Sequence, residues 1–294
     1  MASILEALKN GKVLVSDGAW GTFLCQRGLA AGECPELWNV THKEDVIAIA
    51  KSYIDSGADM ILTNSFGGSP TKLKHYGLEN RTFELNKAAA ELSRKAAGKD
   101  KFVLGSIGPT GVILMMGDVS NETLFEGFKI QADGLVKGGV DAICIETISE
   151  IDEALTAIRA VKDVSDVEII CTFTFEKTLD GKYKTMMGTT PTEMINGLKN
   201  SGVSIIGANC GNGFENMIDI VREIREVDNI TPILIHANAG RPVFHDWQTV
   251  FPETPEMMVS RVGELIECGA NIIGGCCGTT PAHIKALSDE IKKF

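Results

Sequence analysis

The sequence holds no run of basic residues, no low-complexity segment and no uninterrupted apolar stretch of the roughly 18 residues a membrane helix needs. With 28 Lys and Arg against 39 Asp and Glu the formal net charge is −11, which argues against nucleic-acid binding. The opening MASILEALKNGK lacks the apolar core and small-residue cleavage site of a secretory leader. A cytoplasmic protein with no membrane or nucleic-acid partner is expected. Eight cysteines in 294 residues are too sparse for a disulfide scaffold, and in a reducing compartment they stay thiols. Nucleotide-binding loops are missing too: 66-FGGSP-70 and the glycines at Gly108, Gly111 and Gly117 match neither GxGxxG nor GxxxxGK[ST]. Nor does a nucleophile elbow or a Ser-His-Asp ordering stand out.

What remains is globular in its proportions, with 44% hydrophobic and 23% charged residues. Short β-branched apolar runs recur at 13–16, 59–64, 102–106, 141–146, 168–174, 203–209, 232–238 and 270–276. Their apolar residues are continuous rather than alternating, as in parallel strands covered on the outer face. Between them, 44–56, 80–98, 121–138, 150–163, 191–201, 214–226, 255–269 and 281–293 carry helical spacing. Asn121, Thr190–Pro191, Thr254–Pro255 and Thr280–Pro281 supply helix starts, and 56-SGAD, 138-GGVD, 201-SGVS and 268-CGAN supply glycine stops. Eight βα units in one domain, 1–294, predict an α/β fold, a single (β/α)8 TIM barrel rather than an open doubly wound sheet. The longest irregular stretches, 17–43, 64–79, 106–120, 175–190 and 238–254, all follow strands, where barrel enzymes place their active-site loops.

Cys210 follows the sixth strand, and Cys276 and Cys277 follow the eighth. The barrel brings these three thiols to one rim. There they would hold Zn²⁺ through three thiolates and leave a fourth tetrahedral position open, or else serve as buried apolar fillers. The adjacent pair favours metal, since neighbours in an extended strand point to opposite faces. The glycines of 274-GGCCG-278 and 211-GNG-213 permit the backbone geometry that two neighbouring ligands require. Cys144 and Cys171 sit inside strands and read as core; Cys25, Cys34 and Cys268 carry no assigned chemistry.

Asp17 ends the first strand and Glu146 the fourth, so both carboxylates reach the same rim. Either they bind an ammonium group, or each pairs with a Lys or Arg, with an Asx-turn as a further reading for Asp17. Asn64, Asn209 and Asn238 end strands 2, 6 and 7, where an amide orients substrate or caps loop backbone. His236 and His245 lie near the seventh strand's end and are read as satisfied structural residues outside the metal site.

The segments 17-DGAWGTFL-24, 62-LTNSFGGS-69, 105-GSIGPTG-111, 145-IET-147, 207-GANCGNG-213, 237-ANAGRP-242 and 274-GGCCGTTPAHI-284 resemble the homocysteine S-methyltransferase family, nearly end to end. The resemblance implies zinc at Cys210, Cys276 and Cys277, with Asp17 and Glu146 on the amino group of homocysteine. It also implies the backbone of Gly18 and Ala19 on the substrate carboxylate, and Asn238 as fourth ligand until the substrate thiol arrives; Asn209 joins the substrate-binding set. GGCCGTTPAHI and NAG look more like the homocysteine module of cobalamin-dependent methionine synthase than like the betaine or S-methylmethionine enzymes. Thr147, where the betaine branch has Tyr, points the same way. Zinc-activated methyl transfer to homocysteine giving methionine is therefore expected. The donor is a methylcorrinoid such as methylcobalamin, carried by a separate corrinoid protein because these 294 residues hold no counterpart of the folate or cobalamin modules. A small sulfonium or betaine donor is the alternative. A non-catalytic corrinoid-protein partner is a third reading, disfavoured because an inactive barrel has no chemical reason to keep three thiols and two carboxylates.

Overall fold

The computed structural model describes residues 3–112, 119–245 and 248–294; Gly117 and the side chain of His245 fall outside that description. Strands β1 (Leu14–Val15), β2 (Met60–Leu62), β3 (Phe102–Ile107), β4 (Ala142–Ile148), β5 (Glu168–Phe173), β6 (Ile205–Asn209), β7 (Ile233–Ala237) and β8 (Ile272–Gly275) form one parallel sheet. Its spatial order is β1-β8-β7-β6-β5-β4-β3-β2. From β2 to β8 each strand lies beside the next in the chain, β8 pairs with β1, and the two ends of the sheet meet: Asp59, just before β2, donates its N–H to Val15 O at 2.7 Å, and its carboxylate accepts from Val15 N–H. This is a nearly closed TIM barrel.

Alternation along the strands divides their apolar residues into two layers. Leu14, Met60, Leu62, Phe102, Leu104, Cys144, Ile170, Leu234 and Ile272 fill the barrel interior. Val15, Ile61, Val103, Ile145, Cys171, Ile206, Ile235 and Ile273 face the helices, so burial on both sides makes the runs read as continuous. A short N-terminal helix, Ile4–Ala7, closes the lower end. Ile4 enters the interior cluster, and the Ile4 and Leu5 N–H groups donate to the Glu168 carboxylate at the start of β5.

Six helices fall where spacing predicts them: Lys43–Asp55, Thr82–Ala97, Asn121–Lys137, Ile151–Val164, Phe214–Val227 and Pro281–Ile291. The glycine stops at Gly57, Gly139, Gly202 and Gly269 all have φ between 95° and 107°, the left-handed turn that only glycine adopts without strain. Three expectations need correction. The helix expected at 191–201 ends at Leu198. The one expected at 255–269 breaks into Pro255–Val259 and Val262–Glu267, where the Ser260 hydroxyl turns back onto Met257 O. The N-cap of Asn121–Lys137 is Ser120, whose side chain accepts from Thr123 N–H.

The stretches read as irregular contain short helices, Gly21–Gln26, Trp38–Thr41 and Pro70–Leu73, and two small ribbons, Glu176–Lys177 with Tyr183–Lys184 and Val243–His245 with Gln248–Val250. These elements rim the C-terminal end of the barrel. Among the described residues, no helix is long and apolar enough to cross a membrane.

Candidate active site

The three expected thiols converge. The Sγ atoms of Cys210, Cys276 and Cys277 all lie within 4.8 Å of one another, and Cys210 and Cys277 are 3.9 Å apart. That is far beyond the ~2.0 Å of a disulfide and close to the roughly 3.8 Å that separates two sulfurs on one tetrahedral zinc with ~2.3 Å bonds. Backbone geometry brings them together: Cys210 is itself left-handed, φ 61°, and is followed by Gly211 at φ 69°. At Gly275 a Cβ would stand 2.2 Å from the Thr279 hydroxyl, so only glycine lets that chain pass.

Electrostatics separates the three sulfurs. Contact with the Cys276 and Cys277 sulfurs pulls the proton affinity of Cys210 far below the ordinary thiol value, while the same contacts and burial push Cys276 and Cys277 upward. One thiolate is readily made here; three require a cation. Asn238 adds the fitting fourth donor. It is buried beside Cys210, and its Oδ1 has no hydrogen-bond partner among the described residues. Three sulfurs and an orphaned amide oxygen suit zinc.

The carboxylates are buried and lack cations. Asp17 accepts from the Trp20 indole at 2.8 Å, from Leu62 N–H at 2.8 Å and from the Ser16 hydroxyl. Glu146 accepts from the Ser106 hydroxyl at 2.5 Å and from the Asn209 amide at 3.5 Å. Burial pushes each up to about 7, against the pull of those donors, and the nearby Asp17 charge adds to the rise at Glu146. Among the described residues neither meets a Lys or Arg, so the ion-pair reading fails, and Asp17 bonds an indole and a neighbouring strand rather than closing an Asx-turn.

A cleft of about 300 Å³ joins these groups, lined by Gly18, Trp20, Ser106, Glu146, Thr147, His236 and the three cysteines, and extending toward Glu36, Asn64 and Phe66. Its lining places the expected residues at different depths. Glu146 is on the wall; Asp17 is behind it. Asn209 is also behind it, fully buried, with Oδ1 accepting from Thr147 N–H at 2.8 Å and the Thr172 hydroxyl at 2.7 Å, while Nδ2 donates to Thr147 Oγ1 at 2.7 Å. Ala19 lines the cleft, yet its N–H is already donated to Thr279 Oγ1 at 3.1 Å, and its carbonyl accepts from Tyr53 at 2.6 Å. The amide expected to meet a substrate carboxylate is thus engaged.

His236 departs from its expected role as a satisfied core residue. It lines the cleft, its Nε2 has no partner among the described residues, and burial lowers it to about 4, so it is neutral. Residues outside the sequence-based set also build the site. Thr279 donates to Cys276 O at 2.7 Å, tying the first and last strand ends together. Glu36, nearly fully buried, accepts from Gly67 N–H at 2.7 Å and from the Cys34 thiol. Ser106, Glu36 and Thr279 lie in loops or at a strand end, and only 34-CPE-36 and 279-TTP-281 mark the last two as turn chemistry. A larger groove, about 520 Å³ between Ile195–Leu198 and Val227–Thr231, lies at the opposite end of the barrel, away from these groups.

Comparison with known proteins gives the same picture. A sequence profile of the homocysteine S-methyltransferase family matches residues 14–291. The chain is 28% identical to the methionine synthase of Mycobacterium tuberculosis (strain ATCC 25618 / H37Rv) over 98% of its own length, and 27% identical to that of Mycobacterium leprae (strain TN) over 99%. It spans about a quarter of the length of these relatives, 25% in each case. Among solved structures, the metallated form of the homocysteine methyltransferase MmuM from Escherichia coli superposes with a TM-score of 0.78 at 23% identity, covering 97% of this chain and 98% of that one. The oxidized form of the same protein gives 0.78 at 25% identity.

Proposed function

This chain belongs to the homocysteine S-methyltransferase family, and from that premise we propose that it methylates the thiol of homocysteine to give methionine, as one barrel domain acting in the cytoplasm. The observation that carries this reading is the meeting, in one cleft, of three thiols and a buried carboxylate that meets no Lys or Arg among the described residues. Zinc held by Cys210, Cys276 and Cys277, with Asn238 Oδ1 nearby, would supply the positive charge that keeps a substrate thiol ionised at neutral pH.

The chain's own residues do the rest. Glu146 receives the substrate ammonium; the Ser106 hydroxyl fixes one of its oxygens. Asp17, behind the wall, deepens the negative potential that a cation meets there. His236, neutral, adds no competing positive charge. With the amino acid so held, its sulfur faces the open rim and attacks the methyl carbon in line; the S–C bond forms as the donor departs with the electron pair of the bond that breaks.

For the donor, the motif variants and the relatives named methionine synthase support a methylcorrinoid on a separate protein docking at the rim. One observation favours a second reading, a small sulfonium or betaine donor: the match to MmuM covers 98% of that protein, so a barrel of this size alone carries the name homocysteine methyltransferase. The deciding experiment offers zinc-loaded protein and homocysteine, in parallel, methylcobalamin, S-methylmethionine, S-adenosylmethionine and betaine, and measures methionine. Formation with methylcobalamin, free or on an added corrinoid protein, supports the first donor; formation with a sulfonium or betaine alone supports the second; none with any donor, a methylated corrinoid protein included, refutes the activity.

A further inference from the structure

Thr147 has φ 61°, a left-handed conformation that costs a β-branched residue more than almost any other. The strain sits at a β-bulge. Ile145 pairs with Cys171 and Ile148 with Phe173, so Glu146 and Thr147 together stand opposite the single residue Thr172. In a regular strand consecutive side chains point to opposite faces; here Glu146 and Thr147 both line the cleft.

What holds the bulge is a side chain from another strand. Asn209, the last residue of β6, spans β5 to reach it: Oδ1 accepts from Thr147 N–H and from the Thr172 hydroxyl, and Nδ2 donates to Thr147 Oγ1 and, at 3.5 Å, to Glu146 Oε2. Asn209 is fully buried and absent from the cleft lining, its amide turned to the bulge. Its amide uses both ends on the two residues of the bulge and on the strand between.

We propose that Asn209 is a positioning residue: by clamping Thr147 in the left-handed conformation it fixes the bulge and thereby aims the Glu146 carboxylate at the substrate amino group. This rests on the homocysteine reading above and extends it to the element that sets affinity for the amino acid. The clamp also offsets the cost of a β-branched residue at a left-handed position, since it bonds both the N–H and the hydroxyl of Thr147 there. A glycine there needs no clamp.

That difference supplies the test. Homocysteine binding is measured by calorimetry, alongside KM, kcat and zinc content, for the wild type, Asn209→Ala, the double variant Asn209→Ala with Thr147→Gly, and Thr172→Val. Thr172→Val keeps the side-chain shape and removes only one hydroxyl from the clamp, so it remains informative if Asn209→Ala does not fold. The expected result is Kd and KM for homocysteine raised roughly ten- to a hundredfold in Asn209→Ala, with zinc retained and kcat changed less. The double variant recovers at least half of that loss on a logarithmic scale, and Thr172→Val shows a smaller rise in Kd of the same kind. Unchanged affinity in Asn209→Ala, or in Thr172→Val if that is the variant that folds, overturns the proposal; so does a double variant no better than the single one. Wild-type protein that fails to bind homocysteine instead overturns the functional reading on which the clamp rests.

Discussion

Two levels of the barrel use the same residue type in opposite ways. Cys144, on β4, and Cys171, on β5, are fully buried in apolar layers, and burial pushes both thiols upward. One layer higher, Cys210, Cys276 and Cys277 are half-buried, within 4.8 Å of each other, and surrounded by polar groups left unfinished: among the described residues, Asn238 Oδ1 and His236 Nε2 have no partner and Glu146 meets no cation. Cys144 and Cys171 pack among apolar side chains; at the rim, buried polar groups stay costly until a ligand arrives. The difference separates a stabilising end from a reactive end of one fold.

The sharpest way to break this comparison is to remove one sulfur from each end. Cys276→Ala should lose most bound zinc by metal analysis and drop methionine formation to background, on the order of a thousandfold or more. Cys144→Ala should keep metal and turnover and lose about 1 kcal/mol of stability in denaturant, the cost of a small cavity. Normal zinc in Cys276→Ala, or zinc loss in Cys144→Ala, would erase the distinction.

Next in size is the carboxylate on the cleft wall. Glu146→Gln should weaken homocysteine binding by about 2 kcal/mol, roughly thirtyfold in Kd by calorimetry, because it removes the charge that an ammonium would pair with. Zinc should stay. Asp17→Asn should cost less, since Asp17 lies behind the wall; equal or greater loss there would mean that the two carboxylates exchange roles when substrate binds.

These depths are the part that the sequence does not disclose. Strand and helix order was legible because burial on both faces writes continuous β-branched runs, such as 141-DAICIE-146, and because glycine stops punctuate them. The convergence of Cys210 with Cys276 and Cys277 followed from barrel order alone. By contrast, Asn209 was expected among the substrate contacts, and nothing in its neighbourhood along the chain announces partners at Thr147 and Thr172, on two other strands. Ala19 was expected to offer its amide, which Thr279, 260 residues away, already accepts from. The rim ribbons at 176–184 and 243–250 are two or three residues per strand, too short for any periodicity to register.

A smaller effect sharpens the comparison through pH. Asp17 and Glu146 are raised to about 7, whereas in the unfolded chain they ionise near 4. The folded state therefore binds more protons between those values, so their contribution to stability is fully present at the acid end of that window and is lost as pH rises toward 7. Ligand binding runs the other way. Methionine, which has no thiol to titrate, should bind several-fold more tightly at pH 8 than at pH 6 as the carboxylates ionise to meet its ammonium. Glu146→Gln should flatten that slope in calorimetric titrations; an unaltered slope would assign it to another group.

The most direct test of the central claim, that the rim thiols form a metal site with one place kept for a substrate sulfur, is the count of sulfur atoms around zinc by X-ray absorption. Three sulfurs in the zinc-loaded protein and four after homocysteine is added are predicted. Three sulfurs in both states, or a count that does not fall when Cys276 is replaced, would contradict it.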